Sequence, residues 1–208
     1  QSDVAGDNQL FRDRESVLGD IVTAKPVHVR VPPFQYTDSG YATHKSSSLV
    51  QSRKGVVYVG ANDGMLHAFD AKTGDELWAY VPSAVLPDMS KLANTNYATN
   101  HRYFVDGSPT AADIFDGTSW KTILVGGMGA GGRAYYALDI TDPNSPKALW
   151  EFTDTNLGLT LGSPLIGKLS NGTWAVMFGS GDNNVSPGDG VGRLYILNAN
   201  TGVLIRTI

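Results

Sequence analysis

The stretch from Val56 to Tyr80, VVYVGANDGMLHAFDAKTGDELWAY, constrains the fold more than any other part of this 208-residue chain, because its pattern returns twice. Val56 to Val59 is a β-branched and aromatic run, the kind that packs well on a pleated, half-buried surface. Asp63-Gly64 follows, and since this dipeptide tolerates the positive φ of a tight hairpin, Leu66 to Phe69 is expected to fold back antiparallel. Asp70, Thr73 and Gly74 can close a second turn: a short carboxylate accepts backbone N–H bonds and glycine takes the left-handed position. Leu77 to Val81 then reads as a third strand.

The second copy is Thr122 to Phe152 and the third Ala175 to Ile208. Aligned, they match Gly60 with Gly126 and Gly179, Asp70 with Asp139 and Asn198, and Trp78 with Trp150 and Arg206. Each is preceded by a strand-like piece with a proline near its start, around Pro26, Pro109 and Pro164. Four strands per unit at a period of roughly 40 to 66 residues predict an all-β fold, a β-propeller of four-stranded antiparallel blades. The expected division is a lead-in over residues 1–16 and a partial propeller over 17–208, with blades at about 17–82, 104–153 and 161–208. Three such blades do not close a ring, so their outer flanks should expose packing surface, and further blades are expected in a longer polypeptide. The chain has no initiator Met or signal-peptide pattern, which fits an excerpt of that kind.

Composition agrees with short strands and tight turns: 24 Gly, 10 Pro, nine Tyr and four Trp, with little helical patterning. A net charge of -4 without a basic stripe argues against nucleic acid as partner. The local basic groupings, Arg12, Arg14, Lys45, Arg53 and Lys54, read as solvated faces. The chain has no cysteine, so it lacks disulfides, thiolate metal sites and a cysteine nucleophile. It also has no apolar run long enough to span a membrane as a helix.

Between the repeats, Val17 to Val29 is the first inner-strand candidate, and residues 30–55 read as a long loop without alternation. A short helix could start after Pro87 with Asp88 as its cap. The loop between the second and third strands lengthens from copy to copy, and in a meander it shares a face with the blade-to-blade links. That face is the candidate for partner contacts.

Several motifs could carry chemistry. Gly127-Met-Gly129-Ala-Gly-Gly132 has the dinucleotide fingerprint spacing, but an aromatic strand rather than a helix follows it, so it reads as a glycine-rich turn. Asp182, Asn184 and Asp189 are candidate ligands for a hard cation such as calcium, without the alternating spacing or terminal Glu of a calcium loop. His28, His44, His67 and His101 are scattered, without metal-ligand spacing, and read as structural. Trp78 and Trp150 read as repeated packing between blades.

VVYVGANDGMLHAFDAKTG, with LGDIVTAKPVHV, YFVDGSPTAADIF, ALDITDP and LGSPLIGKL, resembles the β-propeller domain of the PilC/PilY family of type IV pilus tip-associated proteins. The resemblance implies a non-enzymatic role in an exported protein of the bacterial cell surface, pilus tip or outer membrane. That role would be pilus assembly, opposition to retraction, and attachment to host or abiotic surfaces, with pilin and other assembly proteins as partners. It also implies calcium in the full-length protein, on a DxDGDxxxD loop that is absent from this chain. Two alternatives stay open on the same repeat: a propeller dehydrogenase using a pyrroloquinoline quinone cofactor, and a periplasmic scaffold of outer-membrane assembly.

Overall fold

The computed structural model describes residues 11–14 and 16–208, so most of the expected lead-in lies outside the described residues. Twelve strands are present among them. The first sheet holds β1 (Val27–Val29), β2 (Val56–Ala61), β3 (Met65–Asp70) and β4 (Glu76–Tyr80). The second holds β5 (Thr110–Phe115), β6 (Trp120–Gly127), β7 (Tyr135–Asp139) and β8 (Lys147–Phe152). The third holds β9 (Leu165–Lys168), β10 (Trp174–Gly179), β11 (Leu194–Asn198) and β12 (Leu204–Thr207). Each sheet is an antiparallel meander in chain order. The first strand of the second blade, β5, approaches the first strands of both neighbours, β1 and β9, so the sheets fan outward from a common axis as blades of an unclosed ring.

The repeat is reproduced at the level of register. Val56 pairs with Asp70, Ile123 with Asp139 and Ala175 with Asn198. Counting from those pairs, Gly60 opposite Leu66 is level with Gly127 opposite Tyr135 and Gly179 opposite Leu194. The second copy's anchor is therefore Gly127 rather than Gly126; the run of two glycines hides the register in the sequence. Trp78, Trp150 and Arg206 do fall at one position, opposite Ala68, Ala137 and Ile196. A bulge follows in every blade, between Ala68 and Phe69, Ala137 and Leu138, and Ile196 and Leu197.

The core lies between blades. Tyr58, Leu66 and Ala68 of the first sheet pack against Leu124, Tyr136 and Leu138 of the second. The opposite face of that second sheet, through Ile123, Val125 and Tyr135, packs against Val176, Phe178 and Tyr195 of the third. Each fully buried Leu, Ile or Phe contributes about 2 kcal/mol, so the alternation of the middle blade's strands holds two interfaces at once. On the far flank of the third blade, Leu165, Val203 and Ile208 remain more than half exposed.

Three expectations are corrected. The inner strand of the first blade is confined to Val27–Val29; most of the preceding segment runs over the turns of neighbouring strands instead. Residues 30–55 are not a featureless loop, since they carry α1 (Tyr41–Ser46) and α2 (Ser48–Ser52), the latter capped by the Ser47 hydroxyl. After the first blade the chain forms a 3-10 segment, Ser83–Ala93, that starts behind Pro82 and contains Pro87, and Asp88 does not cap it. The Asp88 carboxylate is instead drawn to Lys91 and Arg102, and those partners hold its pKa below the usual range.

Candidate functional site

A meander of four strands places the β2–β3, β6–β7 and β10–β11 turns at the same end as the blade-to-blade links, as expected from the sequence. The structure adds that the links are strapped onto those turns. Running toward the second blade, Phe104 N donates to Asn62 Oδ1 in the first blade's turn at 3.0 Å. Running toward the third, the Thr160 hydroxyl accepts from Met128 N at 2.7 Å and Gly129 N at 3.1 Å in the second blade's turn. Each strap then closes on its own blade: Asp106 N donates to Met128 O at 3.1 Å, and Gly158 N to Ser180 O at 2.6 Å. The approach leaves no room for a side chain. A Cβ on Gly107 would sit 2.2 Å from Gly127 O, and one on Gly158 would sit 2.0 Å from Asp182 O.

The lead to β1 joins this face. Gly19 N donates to Asp63 Oδ2 at 2.7 Å, Thr23 N to Asp106 Oδ1 at 2.9 Å, and the Thr23 hydroxyl to Asp106 Oδ2 at 2.5 Å. Asp20 takes the Asn62 amide at 2.8 Å and lies beside His101; burial would raise its pKa, but these bonds outweigh it and lower the value. A recess of about 470 Å³ opens nearby between Lys91, Asn94, Tyr97 and Arg102, and the Arg12 guanidinium lies 4.0 Å above the Tyr97 ring.

His67 is buried beneath the face, beside the buried Asp63. Nδ1 lies 2.6 Å from Glu76 Oε1 and Nε2 lies 3.0 Å from Asp63. Carboxylates only accept, so both ring nitrogens donate and the ring is an imidazolium. Burial opposes that charge, but the Asp63 and Glu76 hydrogen bonds prevail and raise the His67 pKa. With both nitrogens committed, His67 has none left to act as a base. His101 is half-exposed against Asp20, while His28 lies exposed and His44 half-buried, each away from the others.

The long β10–β11 loop is braced from two sides. Arg133 of the second blade donates to Ser186 O at 2.7 Å and Asn183 O at 2.9 Å. Within the loop, Asp189 takes both Arg193 Nη groups at 2.6 Å, and this pairing holds its carboxyl well below the usual range. Asn184 is buried and turns its amide nitrogen to Asn156 O and Val191 O, at 3.1 and 2.9 Å. Asp182 is exposed and joins the Leu159 strap through its backbone. These three candidates do not fit a calcium ion: one carboxylate is neutralised by arginine, and the amide presents its donor end to the surrounding carbonyls. Among the described residues, no group of three or more His, Asp or Glu is placed to hold a metal. In the glycine cluster Gly127 ends β6, residues 128–132 run through the β6–β7 turn, and strand β7 rather than a helix follows, as the sequence predicts.

At the opposite end of the blades, the 30–55 segment crosses from the first blade onto the second and third. Trp120 Nε1 donates to Ser39 O at 3.0 Å, and Tyr36 sits between Trp120 and Trp174, with ring centroids at 5.9 and 5.0 Å. Tyr41 donates to Asp113 Oδ2 at 2.7 Å, Thr122 to Asp113 Oδ1 at 2.6 Å, and Arg53 Nη1 to Thr122 at 2.8 Å. Arg53 is therefore buried, not on a solvated face. Of the remaining basic groupings, Lys54 meets Asp70 at 3.1 Å, Lys45 donates to Phe34 O at 2.8 Å and Arg14 to Val17 O at 2.6 Å. Sequence reasoning missed Asp106, Thr160 and Asp113 because partners of each lie 32 to 83 residues away in other units of the chain; His67, whose partners are in its own blade, was read only as structural. The one local signal was polar residues, Asp63 and His67, inside an otherwise apolar hairpin.

Repeated four-stranded blades fanning from one axis, with straps laid across their turns, define a segment of a β-propeller. The chain belongs to the PilY1 β-propeller family, whose profile matches residues 18–208. It is 41% identical over 201 residues to a type IV pilus biogenesis factor PilY1 homolog of Xylella fastidiosa, covering 92% of this chain and 16% of that protein. It is 40% identical over 214 residues to the type IV pilus biogenesis factor PilY1 of Pseudomonas aeruginosa, covering 95% of this chain and 18% of that one. The crystal structure of the Pseudomonas aeruginosa PilY1 C-terminal domain superposes with a TM-score of 0.71 at 35% identity, over 87% of this chain and 36% of that domain. The chain thus spans less than a fifth of the curated relatives it matches.

Proposed function

We propose that this chain is the non-enzymatic loop-bearing part of a type IV pilus biogenesis factor at the bacterial surface. In this reading its strapped face contacts pilin or other assembly proteins, and the whole protein supports pilus assembly, opposes retraction and contributes to attachment. The observation that carries the reading is the relation to named pilus biogenesis factors over 92% and 95% of the chain. The geometry supports it in one respect: straps, turns and the 180–193 loop share one face, on rigid strands. A binding surface needs such pre-organisation to limit the entropy lost on contact.

The test replaces residues 183–191 by a short Gly-Ser linker in the full-length protein. Expected is normal export and folding with fewer surface pili. Restored pili in a strain unable to retract them would assign the loop to counter-retraction, and continued loss would assign it to assembly. Wild-type piliation and attachment with the loop removed would overturn the role of this face.

A further inference from the structure

The lead to β1 is anchored at two places on the strapped face. At one, Thr23 and Lys25 meet Asp106 and Ser108 of the link to the second blade. At the other, residues 17–20 lie on the Asn62-Asp63 turn of the first blade. There Gly19 N donates to Asp63 Oδ2, and Asn62 donates its backbone N–H to Asp20 O at 2.9 Å and its side-chain amide to Asp20 Oδ2 at 2.8 Å. A Cβ on Gly19 would sit 2.3 Å from Asp63 N, so the two backbones are in direct contact. Little apolar burial holds this piece down, since Val17, Leu18, Ile21 and Val22 are all exposed. An element held by hydrogen bonds rather than by burial is among the first to open locally.

The Asp63 carboxylate at the centre of that anchor is 2% exposed, and among the described residues His67 is the one cation bonded to it. Its oxygens accept from Gly19 N, Met65 N and His67 Nε2. The charged groups that face His67 are Asp63 from the β2–β3 turn and Glu76 from β4, while Phe69 on its own strand stacks on the ring. When the ring loses a proton, one of its nitrogens becomes an acceptor facing a carboxylate. Glu76 is half-exposed and can turn to water. Asp63 lies under Gly19, and a buried carboxylate without a counter-charge is costly, so lifting residues 17–20 to admit water relieves it. The lead's other contacts are not sensitive in this way. Asp106 accepts from a backbone N–H and a hydroxyl, and His101 reaches Asp20 through Nε2 alone, a contact its neutral tautomer can also make.

We propose that residues 17–20 are a pH-sensitive latch over the first blade's turn, closed while His67 is an imidazolium and released when the ring gives up a proton. Release leaves the second anchor and the blades in place and uncovers the Asn62-Asp63 turn on the strapped face. The raised His67 pKa agrees in sign: closure is complete below the free-ring value of about 6.5 and weakens as the pH rises through the value in the fold. The latch rests on the geometry of this blade and holds whichever partner the face contacts.

The test follows amide–solvent exchange of Gly19, Asn62, Thr23, Lys25 and Val125 by NMR between about pH 6 and 9, each rate divided by its intrinsic rate, beside a titration of the His67 ring protons. Expected at Gly19 and Asn62 is opening that rises by up to about tenfold per pH unit above about pH 6.5 and levels off at the measured ring pKa. Thr23 and Lys25 should show no such rise, and Val125 in the second blade should stay far less open. Glu76→Gln, at a half-exposed position on the outer strand, removes one acceptor without disturbing the fold and should move the rise to lower pH. His67→Gln should make opening at Gly19 independent of pH. No rise in wild type, a rise that persists in His67→Gln, a midpoint unmoved by Glu76→Gln, or equal opening at Gly19 and Val125 would overturn the proposal.

Discussion

His67 shows how one residue ties a blade together. Its imidazolium joins Asp63, which holds the lead to β1, to Glu76 on the outer strand. A raised pKa in the fold means that this stabilisation is complete below the unfolded value of about 6.5 and is lost as the pH rises through the folded value. Urea unfolding across the pH range should show wild type weakening above about pH 6.5, whereas His67→Gln is less stable by about 2 kcal/mol in mild acid and shows little change through that window. An unchanged pH profile in the variant would contradict the imidazolium. Gly107 acts differently, by what it lacks. Gly107→Ala sets a Cβ against the Gly127 carbonyl at 2.2 Å, and since backbone cannot yield as a flexible side chain can, a loss of about 3 kcal/mol is expected in thermal or urea melts.

Among the elements, the fourth strand of each of the first two blades carries the clasp to the next. Trp78 Nε1 donates to Pro143 O at 2.8 Å and Trp150 Nε1 to Ala199 O at 2.9 Å, each carbonyl in the turn between the third and fourth strands of the following sheet. Matched tryptophans at one register position were legible in the sequence as inter-blade packing; the carbonyls they reach were not, because turns of different length present them. Trp150→Phe keeps most of the ring and removes the donor, leaving a buried carbonyl unpaired. A loss of about 1–2 kcal/mol is expected, and less for the half-buried Trp78→Phe, by urea denaturation. The 30–55 segment is the element that sequence reasoning understated. Its helices are too short for helical periodicity to show, and its order comes from Tyr41, Trp120 and Asp113, which lie 72 or more residues apart where they bond across. Tyr41→Phe should destabilise the chain by about 1–3 kcal/mol, since Asp113 loses a donor inside the protein; unaltered stability would show the segment to be dispensable.

For the whole molecule, the open ring sets behaviour in solution. Leu165 and Val203 on the far flank of the third blade are 62% and 64% exposed, on the kind of surface that the other two interfaces bury. Sedimentation of the isolated chain should show concentration-dependent association, and Leu165→Lys with Val203→Lys should shift it toward monomer while the circular dichroism stays the same. A monomer at every concentration would contradict this flank as an association surface. The meander, the turns and the repeat were determined by the sequence alone, because hydrophobic alternation and Asp-Gly or Asx-x-x-Thr-Gly turns act over a few residues. Only the tertiary structure decided that Gly127 rather than Gly126 keeps the register, that Arg53 is buried, that Asp189 is held by arginine, and that the links lie strapped across the turns. Those facts depend on which distant groups meet once the blades stack, and a linear pattern carries information about faces and turns but not about which blade lies opposite.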